Sequence, residues 1–345
     1  MERSRGDNAG TLSASAWPHR LAVLLVCATF PLIWVGGLVT TYEAGMAVPD
    51  WPSTYGYNLF LYPWQTWLAG PWDLFIEHGH RLFGALVGMM TILLVAAAFR
   101  LDGRIWYRWA TLGALALVIA QGGLGGLRVR LDQRLLAQIH GCVAPVFFAV
   151  TVALAVWSSP RWRAGRTLAQ DPKQARAAAR FQRLAFLTVV MAYVQLVLGS
   201  QLRHVRPSVD MATFRAAVWF HLLMAAVLAV HILLLAARGL RSFSANGYIA
   251  VPVVALAAML MLQLGLGAGA WVVNYGWPAW FGRYEWAQQY VVSHESRTQA
   301  LMTTAHVAAG SLILATSLMV ALRSLLLPSA RSIPVQRFVA SEVLA

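Results

Sequence analysis

The sequence is poor in charge and poorer still in cysteine. Charged residues make up 12% of the 345 positions, against 59% hydrophobic ones. That is too little charge to cover the surface of a water-soluble domain. The two cysteines, Cys27 and Cys142, lie far apart inside apolar stretches, and no CxxC pair occurs. This excludes a CxxC thiol-redox motif and a cysteine-built zinc site. Acidic residues are scarce as well, 13 against 27 Lys and Arg, for a formal net charge of +14. The first 20 residues hold no apolar core for a signal peptide and include Glu2 and Asp7. The first apolar stretch is therefore expected to act as an uncleaved insertion signal.

What the chain does have is long apolar runs. A helix needs roughly 20 apolar residues to cross the hydrocarbon core. Eight runs qualify, at about 21–41, 75–99, 105–126, 135–158, 183–202, 215–238, 247–273 and 299–326. They predict an all-α polytopic membrane protein. With the N-terminal tail inside, 18 of the 27 Lys and Arg fall on the cytoplasmic side, the bias that cytoplasmic loops carry. The basic balance thus reads as topology and not as nucleic-acid binding. Both termini are expected in the cytoplasm of a plasma (inner) membrane protein, and the preference for Arg over Lys fits a bacterial membrane. A basic connection at 159–182 divides the chain into halves. The expected organisation is a tail (1–20), a four-helix bundle (21–158), the linker (159–182), a second four-helix bundle (183–327) and a tail (328–345). Four spans per half give both halves one orientation, related by a pseudo-two-fold axis along the membrane normal.

The halves also resemble each other in sequence. Span 3 carries Gln121-Gly122-Gly123-Leu124-Gly125, span 5 Gln195-Leu196-Val197-Leu198-Gly199, and span 7 Gln263-Leu264-Gly265-Leu266-Gly267, with a looser Gly36-Gly37-Leu38-Val39 in span 1. Small residues let helix backbones, or a flat ligand, approach closely. Of the two, plain helix packing is the expectation for the glycines. The outer connections at 42–74 and 274–298 are rich in Trp and Tyr, among them Trp51, Tyr55, Trp64, Trp277 and Trp286. They are expected at the membrane interface, as anchors or as lids.

Each even span has a histidine near its outer end at matching depth: His80, His140, His221 and His306. All four lie five to eight residues in, a depth of roughly 8–12 Å at 1.5 Å per residue. Ionisable groups at such depth are costly and point to function. Two per half suggest one bis-imidazole iron site per half. Heme fits better than a bare ion, since no cysteine or carboxylate cluster completes a small-ion shell, and flat cofactors sit between facing helices. Arg81, Arg128, Arg130, Arg134, Arg203, Arg206 and Arg215 flank the outer mouths. They suit heme propionates or lipid headgroups. His78, His204, His231 and His294 are expected in structural or surface roles. Glu77 precedes His80 by three residues and shares its face. It can serve a bound heme as a carboxylate, or pair with Arg81 at i,i+4.

Gly45-Met46-Ala47-Val48-Pro49-Asp50-Trp51-Pro52, Glu77-His78-Gly79-His80-Arg81, Ile139-His140-Gly141 and Ala305-His306 resemble the heme A synthase family over nearly the whole chain. The resemblance implies conversion of heme O to heme A, the cofactor of aa3-type cytochrome oxidases. The C8 methyl becomes a formyl group through a hydroxymethyl intermediate. It further implies His80 and His140 as ligands of the substrate heme, His221 and His306 as ligands of a heme b cofactor, and Glu77 as the catalytic carboxylate. Implied partners are a heme O synthase (protoheme farnesyltransferase) and cytochrome oxidase assembly factors, and a homo-oligomer is left open. One departure is plain: many bacterial relatives carry a cysteine pair in the first outer connection, and Asp50–Tyr57 here has none. Two other readings stand beside this one. A cytochrome b-type electron carrier usually places two histidines about thirteen residues apart on one helix, which His221 and His231 do not match. A heme-handling protein without chemistry is the second.

Overall fold

The structure, a computed structural model, describes residues 15–165, 171–205 and 208–328. Arg206, Arg166, most of the expected 1–20 tail and all but the first residue of the 328–345 tail lie outside the described residues. Eight helices of 25–33 residues are long and apolar enough to cross a membrane. They are α1 (Trp17–Thr41), α3 (Trp72–Leu101), α4 (Ile105–Leu131), α5 (Arg134–Ser158), α7 (Pro172–Arg203), α8 (Met211–Phe243), α9 (Gly247–Tyr275) and α11 (Arg297–Ser324). Three short helices lie in the connections: α2 (Trp64–Ala69), α6 (Pro160–Ala164) and α10 (Glu285–Gln288). The chain is an all-α, multi-pass membrane protein.

The helices outrun the apolar stretches that announce them. The clearest case is α7, which opens at Pro172, so much of the 159–182 connection is helix. Asp171 accepts the Lys173 N–H at 2.8 Å and Pro172 takes the first position, two features that start a helix. Asp210, Asn246 and Ser296 cap α8, α9 and α11 in the same way. Inside the spans, hydroxyls turn back onto their own helix. Thr29, Thr91 and Thr188 each donate to the carbonyl four residues earlier, which satisfies them where water is absent.

Contacts run around two rings: α1, α3, α4 and α5, and then α7, α8, α9 and α11. Leu25, Leu94, Tyr107 and Leu154 pack within the first, and Phe181, Ile232, Ile249 and Leu256 within the second. The rings meet where α11 touches α5 and α1, through Phe148, Val152 and Ala315. Helices α5 and α11 are the most enclosed, with 56% and 61% of their apolar windows buried against 22–28% elsewhere. Helix α11 suits that place. Its buried residues are largely Ala, Ser and Thr, small enough for close helix contact.

Each end of the molecule has its own polar fastening. At the arginine-rich end, the Asp102 carboxylate is 2% exposed. It accepts from Arg104 Nε and Nη2 at 2.9 and 2.8 Å and from Arg163 Nη2 at 2.9 Å. Burial alone would raise the Asp102 carboxyl, but the Arg104 hydrogen bonds and the two guanidinium charges outweigh it and hold it below its ordinary value. At the opposite end, Arg203 Nη2 donates to Gly37 O at 2.7 Å and to Thr41 Oγ1 at 2.5 Å, joining α7 to α1.

Candidate functional site

The four histidines come together as two pairs. His80 on α3 and His140 on α5 have ring centres 6.4 Å apart. His221 on α8 and His306 on α11 repeat the distance, 6.4 Å. Each pair joins opposite members of one ring of helices, so the imidazoles meet across its middle. Each pair also takes one histidine from an enclosed central helix and one from a peripheral helix.

Every histidine lies against a glycine of a neighbouring odd-numbered span. A Cβ at Gly36 would stand 2.8 Å from His80 Cε1, at Gly125 3.3 Å from His140 Cε1, at Gly199 3.2 Å from His221 Cε1, and at Gly267 2.9 Å from His306 Cε1. The repeated glycines thus make room for rings. The expectation of plain helix packing gives way to a more specific one, a glycine seat for each histidine.

A bis-histidine iron site can be tested against this geometry. Two nitrogens each about 2 Å from one metal, with about 1 Å more to each ring centre, span about 6 Å in total. Both pairs meet that figure. Among the described residues, Nε2 of His80 and of His140 takes part in no hydrogen bond, His140 using Nδ1 for its own, so each of these rings keeps Nε2 uncommitted. Among the described residues, no group of three or more His, Cys, Asp or Glu could hold a bare metal ion. The residues fit heme.

Glu77 and Arg81 do pair. Glu77 Oε1 accepts from Arg81 Nη2 at 2.8 Å, and Oε2 accepts the Val48 N–H at 2.9 Å. Glu77 is 3% exposed. Arg81 goes further, donating to Val48 O, Asp50 O and Ser53 O at 2.7–2.9 Å. It therefore straps the Pro-Asp-Trp segment to the start of α3 and has little left for a propionate. His78, expected in a structural or surface role, is buried. Its Nδ1 bonds Thr54 Oγ1 at 3.0 Å, and its ring lies between Tyr62 and Trp67. Trp51 presses on Gly126, and the Arg128 guanidinium lies over Gly45; a Cβ at either glycine would collide. Asp50 closes the segment by accepting the Tyr55 and Gly56 N–H groups at 2.8 Å. Burial would raise its carboxyl, but the bonds from Gly56, Ser53 and Tyr55 bring it below the ordinary value. The 42–71 connection is thus an ordered cover on α3 and α4.

His231 and His204 bond carbonyls of their own turns, Val227 O and Ser200 O, both at 3.0 Å. They stand apart from the pairs. The glutamines of the repeat went unread as site residues. Gln121 Nε2 donates to His140 O at 3.1 Å, and Gln195 Nε2 lies 3.1 and 3.2 Å from the two His221 ring nitrogens. Their spacing was a usable signal, since Gln and Gly at i,i+4 share a face.

A family model described as cytochrome oxidase assembly protein, COX15-CtaA, matches residues 72–284. A curated protein named Heme A synthase, from Beijerinckia indica subsp. indica, is 33% identical over an alignment of 177 residues covering 42% of this chain and 48% of that protein. The match thus spans about half the length of the curated relative. The family match takes in α3 to α9, with Glu77, His80, His140 and His221, and well over half of the sequence: the chain belongs to the COX15-CtaA family of cytochrome oxidase assembly proteins.

Proposed function

We propose that this protein is a heme A synthase, oxidising the C8 methyl of heme O to a formyl group by way of a hydroxymethyl group, for aa3-type cytochrome oxidase. The observation that carries the reading is the pair of matched histidine couples, each 6.4 Å between ring centres, with the buried Glu77 carboxylate three residues before His80 on α3. The name of the Beijerinckia relative supports it. The two rings of helices serve as two related four-helix bundles, the first for substrate and the second for a resident heme b. The membrane is the plasma (inner) membrane, with both termini cytoplasmic. The substrate donor would be a heme O synthase.

His80 and His140 hold the substrate heme, and His221 and His306 hold heme b. When bound, heme b supplies a one-electron relay for electrons leaving the substrate. Glu77 acts on the substrate side. Each oxidation at the methyl carbon takes up one water oxygen and gives up two protons and two electrons, the electrons passing to an external acceptor, and the hydrate formed in the second loses water to give the formyl group; a carboxylate that takes up those protons speeds each step. Both Glu77 oxygens are already engaged, so taking a proton means loosening either the Val48 N–H or Arg81. The strapped cover above keeps bulk water away, which strengthens the carboxylate's electrostatic effect on a developing positive charge.

The test is porphyrin content. Protein purified from cells making heme O should yield heme b with heme O and heme A on chromatography. Replacing His221 or His306 should deplete heme b, and replacing His80 or His140 should deplete heme O and heme A. Heme b alone, reduced quickly and reversibly by quinol, would mark an electron carrier and overturn the reading.

A further inference from the structure

The repeat that seats the histidines is broken at one place. In three odd spans a glutamine stands one turn before the seating glycine: Gln121 before Gly125, Gln195 before Gly199, Gln263 before Gly267. Each is beside the histidine seated there. His140 Nδ1 lies 3.1 Å from the Gln121 backbone carbonyl, while the Gln121 amide donates back to His140 O. The Gln195 amide lies on the His221 ring. The Gln263 amide nitrogen is 3.4 Å from a Cβ position at Gly310, one turn beyond His306, and His306 Nδ1 is buried without a hydrogen-bond partner. All three Oε1 atoms are buried without partners. In α1 the matching position, four before Gly36, is Leu32. His80 Nδ1 is buried and unpartnered, and no amide stands at the matching place.

An imidazole that binds iron through one nitrogen carries its proton on the other. An acceptor for that N–H fixes the ring and strengthens the ligand. A half-turn of the Gln195 amide would put its orphaned Oε1 on His221 Nδ1, satisfying both atoms at once. At His140 the Gln121 backbone carbonyl offers an acceptor and the Gln121 amide ties the two helices together. Leu32 has no side-chain acceptor or donor, and His80 Nδ1 has no partner.

We infer that Gln121 and Gln195 are positioning residues that buttress His140 and His221, that Gln263 stands where its unpartnered amide oxygen can do the same for His306, and that Leu32, with no amide to offer, leaves His80 as the ligand that lets go. This rests on the heme A synthase reading. A site that turns over must admit one heme and release another, so one weak axial ligand serves it. A resident heme is better held from both sides.

The experiment uses the full-length purified protein and excess apomyoglobin as a heme acceptor. Gln195→Leu should release heme b about 10-fold faster and shift its midpoint potential, while Gln195→Glu, which keeps an acceptor at His221, should hold heme b as the parent does. Leu32→Gln should slow loss of heme O and heme A about 10-fold and leave heme b release unchanged. Parent-like release and potential in Gln195→Leu, or parent-like heme O and heme A release in Leu32→Gln, would overturn the inference. If Gln195→Leu does not fold, Leu32→Gln decides alone. A protein that holds no heme O or heme A fails the functional reading itself, so the two failures are told apart by content against release rate.

Discussion

Glu77 has two partners, and they separate chemistry from structure. A glutamine there keeps one acceptor oxygen, for either the Val48 N–H or Arg81, and nearly the same shape, but cannot take a proton. Glu77→Gln should therefore keep its heme complement and lose heme A formation by about 100-fold or more, the usual worth of a positioned acid–base group. The ratio of heme A to heme O on chromatography reads it, and an unchanged ratio removes Glu77 from the chemistry. Arg81 is the structural member of the pair. A lysine keeps the charge but offers one compact ammonium where a planar fork now reaches three carbonyls and a carboxylate. Arg81→Lys should speed amide hydrogen exchange across 48–56 by about 10-fold or more. Exchange equal to the parent's would show that Trp51 on Gly126 is enough to hold the cover.

At the scale of elements, glycine seats and end fastenings do different work. Gly199→Val drives a branched side chain into His221 and should cut heme b occupancy at least about 10-fold. Gly113→Ala is the control, since a Cβ there meets nothing within 4 Å; equal losses from both would refute the seat. At the arginine-rich end, Asp102 ties the α3–α4 corner to Arg163 beyond α5. Asp102→Asn should cost about 2 kcal/mol after allowance for solvent at the two arginines, read as a lower melting temperature in detergent. The sign with pH follows from a carboxyl held below its unfolded value of about 3.9. Its contribution is full above that value and is lost as pH falls through the lower folded one, so the gap between parent and Asp102→Asn should close in acid.

Much of this was legible in one dimension. Eight apolar runs gave eight spans, because lipid asks for length and apolarity and little else. The histidines showed through for the same reason, as costly groups in a place that excludes them. The polar start of α7 reads as linker because a helix beyond the lipid need not be apolar. The glutamine partnerships do not show in the sequence because they exist only between helices. Nor does hydropathy reveal which spans are central: α5 and α11 are no more apolar than the rest.

For the whole molecule, α11 is the joint. It contacts α1, α5, α7 and α9, and it brings His306. A chain ended before Arg297 should lose heme b and also destabilise the first ring, whose α5 would face lipid with Phe148 and Val152 uncovered. Limited proteolysis of the truncated form in membranes checks this, and an intact 72–158 region with normal heme O binding would count against it. The same feature sets an order of events during synthesis. Helix α1 waits for α11 before its packing is complete, so the ribosome must pass Arg297 before the seam closes and before the second histidine pair can form.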